Sequence, residues 1–126
     1  MSYIDEGDLY YTNKEYKKAL SSYKKAIETK ENESIALYNA SVCHIKLKEY
    51  SDAIELLNKA IALKDDSEYY FNLALCYAYS HNNQKALLYF NTAWALNPDD
   101  EDCSKAINII LNNLKKNWCI KLHKTN

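Results

Sequence analysis

Six residue series recur along this chain at intervals of 34 and then 33 residues, and this repetition restricts its fold more than any other feature. Ala19, Ala53 and Ala86 share those intervals, as do Ala26, Ala60 and Ala93, with Tyr23, Leu57 and Phe90 between them. Upstream lie the small residues Gly7, Ser41 and Ala74. Tyr3, Leu37 and Tyr70 precede them, and Tyr10, His44 and Tyr77 follow. A period of this length marks a supersecondary unit that cannot bury its apolar face alone and must stack on copies of itself.

Inside each unit the spacing is helical, because residues three and four apart share one face. Tyr3, Gly7 and Tyr10 form one stripe, and Ala19, Tyr23 and Ala26 form another. Short polar stretches separate the stripes: Thr12-Asn13-Lys14, Lys46-Leu47-Lys48 and His81-Asn82-Asn83. Each unit therefore reads as helix, tight turn, helix. The small residues let a neighbouring helix approach while Tyr23 and Phe90 cross into the space they leave. One Gly and one Pro among 126 residues oppose an all-β fold, which needs many turn residues. The pattern predicts helices near 2–12, 15–30, 33–47, 50–63, 67–80, 83–96 and 99–122. Ser2, Ser67 and Asp99 are the expected caps, with Pro98 at the start of the seventh helix.

The last segment is not a fourth unit. Cys103, Ala106, Ile107, Ile110, Leu111, Leu114 and Trp118 form one apolar stripe, as a helix closing the open end of a stack requires.

The units resemble tetratricopeptide repeats, whose pattern runs W-x₂-L-G-x₂-Y, then Ala, an aromatic, Ala and Pro. The third matches best, with Tyr70, Leu73, Ala74, Tyr77, Ala86, Phe90, Ala93 and Pro98. The first has Glu6 for the usual apolar residue, and the second has His44 for the aromatic and lacks the Pro. The expected fold is all-α, an α-solenoid of three helix-turn-helix repeats at 1–33, 34–66 and 67–100. A capping helix with a basic tail follows at 101–126.

The resemblance implies that the first helices of the units line a concave groove that holds a peptide or helix of a partner protein. Residues one step from the packing face would point into it. In the first unit these are Ile4, Asp8 and Tyr11; in the second, Tyr38, Asn39, Val42 and Ile45; in the third, Phe71, Asn72, Leu75 and Tyr79. Most are apolar or aromatic, the composition of an interaction surface. Asn39 and Asn72 hold equivalent places, and amides there would both donate to and accept from a ligand backbone. Some family members clamp acidic chaperone tails with Lys, Asn and Arg at defined positions. Those positions here hold Ile4, Asp8, Asn39, Glu68 and Asn72, so a carboxylate would meet Asp8 and Glu68 and be repelled.

Charge refines the partner. All sixteen basic residues are Lys, and Lys lacks the planar fork that Arg offers to phosphate. With a net charge of −1, no nucleic-acid footprint is expected. Residues 1–102 carry seventeen acids against eleven Lys, a net −6, whereas residues 103–126 carry five Lys and no acid. The basic end (Lys105, Lys115, Lys116, Lys121, Lys124 and Trp118) is expected to be the wet face of the last helix, with membrane contact disfavoured. Head-to-tail self-association of the basic end with the acidic body is an alternative that salt would weaken.

Catalytic patterns are missing: no Gly-rich phosphate loop, nucleophile elbow or paired-His zinc motif occurs. No cofactor or metal is expected, and His44, His81 and His123 are scattered. Cys43 and Cys76 hold equivalent small-residue places and read as core thiols. Four Cys without a C-x-x-C pair, and no leading apolar stretch, fit a reducing cytoplasmic compartment. The expected function is a non-catalytic protein-interaction module. The alternatives are a self-assembling structural repeat protein or a chaperone or co-chaperone domain with a degenerate clamp.

Overall fold

The computed structural model describes the backbone of residues 1–124 and the side chains of residues 1–116. Among them are seven helices and no strand: α1 (Tyr3–Thr12), α2 (Tyr16–Glu28), α3 (Glu33–Lys46), α4 (Tyr50–Leu63), α5 (Ser67–Tyr79), α6 (Asn83–Leu96) and α7 (Glu101–Lys124). Each packs on the next in the chain, and α3 also touches α5. Three antiparallel hairpins stack in sequence, and α7 closes the far end. The side chains of Trp118, Cys119, Lys121, His123 and Lys124 lie outside the described residues.

The repeated turn inside each hairpin has one geometry. Lys14, Lys48 and His81 all adopt left-handed backbone, with φ of 62°, 61° and 63°. Glu15, Glu49 and Asn82 then donate their N–H to the carbonyls of Tyr10, His44 and Tyr77. This is the Schellman ending, which satisfies the last carbonyls of a helix and normally uses Gly at the left-handed position.

Helix starts are less uniform. Ser2 accepts from the Asp5 N–H at 3.1 Å, as expected, and the Glu31 carboxylate accepts from the N–H groups of Tyr3 and Ile4. Two expected caps move by one residue. Asp66 rather than Ser67 caps α5 by accepting from the Glu68 N–H, and Asp100 rather than Asp99 accepts from the Asp102 N–H. A carboxylate just outside the helix reaches the second helical N–H, whereas a residue already in helical backbone does not. Pro98 does not open α7. The Asp100 N–H donates to the Asn97 carbonyl, so Pro98 takes the second place of a turn, where its restricted φ is suited.

Three apolar clusters run along the stack. The first joins Ala19, Leu20 and Tyr23 of α2 to Ala40 and Cys43 of α3. The second joins Leu37, Leu57 and Ala60 to Tyr69, Leu73 and Cys76. In the third, Ala74, Ala86, Phe90 and Ile110 are buried, with Ala106, Ile107 and Leu114 half-buried against them. Leu111 departs from the expected capping stripe and is 46% exposed. It lies one helical step beyond Ile110, which turns it off the packed line.

The first small residue is under the tightest constraint. A Cβ on Gly7 would come within 2.5–2.8 Å of three ring carbons of Tyr23. That ring is 2% exposed, and its hydroxyl donates to Asp8, so it has nowhere to move. Ala is favoured over Gly in a helix by roughly 0.5–1 kcal/mol, but overpacking costs about 1–3 kcal/mol, and the clash should win. Gly7→Ala is expected to lower the urea midpoint, with a net loss of about 1–2 kcal/mol in unfolding free energy. Adding Tyr23→Leu, which copies the Ser41–Leu57 pairing of the second hairpin, should recover part of it. A midpoint unchanged or raised in the single variant would refute this packing account.

Candidate functional site

Two hydrogen bonds bind the first helices of the hairpins edge to edge. Asn39 on α3 donates to Asp8 on α1 at 3.4 Å, and Asn72 on α5 donates to the Tyr38 hydroxyl on α3 at 3.0 Å. The Nδ2 of Asn72 also donates to the Glu68 carbonyl one turn back, at 2.9 Å. Both amides thus spend donors within the protein and serve first as ties between repeats. The sequence reading had them facing a ligand alone.

Along this seam lie three depressions that all include Tyr38. One, of about 380 Å³, is lined by Asp8, Tyr11, Tyr23, Tyr38, Asn39 and Val42. A second, of about 270 Å³, lies between Glu68, Phe71 and Asn72 on one side and Asp100 and Asp102 on the other. The third, of about 510 Å³, extends past Ile45, Leu75 and Tyr79 to Lys46, Lys48 and Tyr50. Ten of the eleven residues singled out from the sequence therefore line one furrow. The exception is Ile4, which packs against the first core cluster instead. It lies in the first turn of α1, whereas the lining of the furrow starts at Asp8, one turn farther along.

The furrow is less exposed than its composition implied. Apart from Asp8 and Tyr79, which is 55% exposed, the set is half-buried, because adjoining rings cover one another. Tyr38 stacks on Tyr69 at 4.9 Å and Tyr50 on Tyr79 at 5.2 Å, while Phe71 meets Phe90 edge-on at 5.3 Å. Phe71 and Leu75 thus contribute to the third core as well as to the wall.

Tyr38 is the residue common to all three depressions. Burial raises its phenol to about 12, the Glu68 charge adds to the rise, and the Asn72 hydrogen bond opposes it. The phenol is a neutral hydrogen-bonding group at ordinary pH. Tyr23 is raised further, by burial and then by its bond to Asp8. Its hydroxyl reaches the furrow floor, a role that its place in the packing series gave no sign of. Lys46, Lys48, Tyr50, Asp100 and Asp102 were also missed, since they belong to helix ends that only stacking brings to the furrow.

Cys43 and Cys76 are fully buried, and burial raises both thiols to about 12. Cys103 is pushed up to about 11 by burial and by its bond to Asp100. Thiols held protonated in this way are poor nucleophiles. The fold does bring His44, Glu49 and Asp52 together, with ligand atoms within 4.8 Å. His44 Nδ1 lies 3.1 Å from Glu49 Oε1, clasping the end of α3 to the start of α4. Lys17 and Lys24 line the same depression, and a helix N-terminus adds positive potential, so a cation is disfavoured there. Among the described residues, no helix is long and apolar enough to cross a membrane.

Comparison with known proteins adds a lineage. Two family models, both described as tetratricopeptide repeat, match residues 10–76 and 67–100. Heat shock protein STI1 of Saccharomyces cerevisiae is 37% identical over 62 residues, covering 48% of this chain and 10% of its own length. Human sperm-associated antigen 1 is 28% identical over 95 residues, covering 75% of this chain and 10% of its own. The chain thus spans about a tenth of each of these relatives. In structure it is similar to the first such domain of Spaghetti (RPAP3), solved with the HSP90 peptide SRMEEVD. The TM-score is 0.86, with 18% identity and 90% of each chain covered.

Proposed function

Because the chain belongs to the tetratricopeptide repeat family, we propose that it is a non-catalytic module whose α1–α3–α5 furrow holds a peptide or helical segment of a partner protein. The observation that carries this reading is the furrow itself, a run of three depressions sharing Tyr38 and walled by Tyr11, Val42, Leu75 and Tyr79. Half-buried aromatic rings offer large contact area at small entropic cost, and they dominate binding energy where they occur. The ties at Asn39 and Asn72 hold the wall rigid before a ligand arrives, which lowers the cost of binding. Relatives that engage chaperone peptides support the same use of the fold. With Ile4, Asp8 and Glu68 at the clamp positions, an acidic tail is not the ligand we assign. Three buried, unbridged cysteines fit a reducing compartment such as the cytoplasm.

A comparison of proteins retained from a lysate by wild type and by a Tyr79→Ala, Asn39→Ala variant tests the proposal. Tyr79 is 55% exposed despite its stack on Tyr50, and Asn39 donates to Asp8 in a long bond of 3.4 Å, so helicity should be unchanged. Phe71 is avoided because its ring packs on Phe90. Specifically retained proteins should bind the variant at least about tenfold more weakly, the loss expected when a hot-spot ring is removed. Equal retention by both folded proteins would rule out the furrow.

A further inference from the structure

We propose that the segment held in the furrow is cationic, with a Lys or Arg side chain of the partner seated between Glu68 and Asp102 beside the rings of Tyr38 and Phe71. The inference rests on the furrow reading and adds the chemistry of its ligand. Glu68, Asp100 and Asp102 converge on one depression with Tyr38, Phe71 and Asn72, and among the described residues no Lys lines it. Asp100 is partly engaged, since it caps α7 and accepts from the Cys103 thiol. Glu68 and Asp102 have no lysine within ion-pair distance among the described residues, whereas nearby Asp66 is matched by Lys64 at 3.7 Å. The Glu68 charge is felt inside the furrow, because it helps to raise the Tyr38 phenol. Asp8 adds a fourth carboxylate farther along.

Aromatic faces and carboxylates together suit a cation. The ring attracts it through its quadrupole, the carboxylate through its charge, and a partly enclosed site strengthens both. The furrow is also polarised, since Lys46 and Lys48 stand in the depression that holds Tyr79. A segment lying in it has its basic side chain toward α7 and its acidic or neutral part toward those lysines.

Fluorescence titration with three end-blocked peptides tests the proposal: SRMEEVD, a neutral form with Gln for the Arg and for each Glu and Asn for Asp, and a basic form of SRMEEVD with Lys in place of its two Glu and its Asp. Wild type should bind the basic peptide at least about tenfold more tightly than SRMEEVD, and added salt should weaken that complex. Glu68→Gln with Asp102→Asn, both at exposed positions, should remove the preference, while Lys46→Gln with Lys48→Gln should leave it. Equal binding of neutral and basic peptides would overturn the cationic assignment and leave the furrow reading standing, as would tighter binding of SRMEEVD. Failure of all three, together with equal lysate retention, would bring down both. Salt-sensitive self-association of the peptide-free chain, abolished by Glu68→Gln with Asp102→Asn, would give the seat to the chain's own Lys-rich end. That result would overturn assignment to a separate partner.

Discussion

Raising the pH from 8 to 11 is expected to unfold this protein cooperatively, with stability flat to about pH 9 and falling steeply above it. Cys43 and Cys76 are fully buried, and both thiols rise from an ordinary 9.0 to about 12. Their folded pKa values exceed their unfolded ones, so above pH 9 the unfolded chain sheds protons that the native state keeps. Stability is therefore whole below pH 9 and is lost as pH climbs toward 12. Each such group contributes a slope of about 1.4 kcal/mol per pH unit. Two thiols make roughly 3 kcal/mol per unit, Cys103, raised to about 11, adds a third contribution, and above pH 10 the phenols of Tyr23 and Tyr38 add to it in the same direction. Against a total of about 5–15 kcal/mol for a domain, the native state should fail near pH 11. Urea midpoints at pH 8, 9, 10 and 11 would measure this. In a variant with Cys43, Cys76 and Cys103 all replaced by Ala, the onset should move up toward pH 10, where tyrosine ionisation begins. A wild-type midpoint that holds steady through pH 11 would show that these thiols are not confined as the packing indicates.

Replacing Lys14, Lys48 and His81 together by Gly should raise the melting temperature by roughly 5–10 °C. All three are exposed residues in left-handed backbone at Schellman helix ends. A side chain there costs about 1–2 kcal/mol, and the extra freedom of Gly in the unfolded chain returns roughly half of that. The net gain is about 0.5–1 kcal/mol per site, and well-separated sites add. The same change at Leu47, where φ is −87° and the side chain packs on the first core cluster, should lower stability, because Gly gains nothing at negative φ and the packing is lost. Calorimetry on the triple variant and on Leu47→Gly would decide the matter. A triple variant no more stable than wild type would mean that the lysine and histidine side chains make compensating contacts.

Much of the architecture was legible in the residue pattern, for a simple reason. Helix periodicity and the 34- and 33-residue intervals are local signals, and stacked units reuse the same contacts. Thus Gly7 against Tyr23 and Ala74 against Phe90 could be anticipated from spacing. Helix caps were harder. Ser67 and Asp99 each lie one residue from the acid that does the capping, and which oxygen reaches an N–H depends on the exact exit of the preceding loop. Pro98 was misplaced for the same reason.

The line of side chains along α1, α3 and α5 was also readable, because it repeats one step from the packing stripe. What those side chains do to one another was not. That Asn39 is tied to Asp8, Asn72 to Tyr38, and Tyr23 to Asp8 depends on distances between helices whose paired residues lie 31, 34 and 15 positions apart in sequence. The meeting of Glu68 with Asp100 and Asp102 depends on how α7 docks across the end of the stack. The chain alone determined that amphipathic hairpins would form and pile up, since periodicity and side-chain volume are properties of the residues themselves. Only the tertiary structure decided which polar groups are spent as internal ties and which charges face the furrow, since Coulomb and hydrogen-bond energies depend on separations that no spacing in sequence encodes.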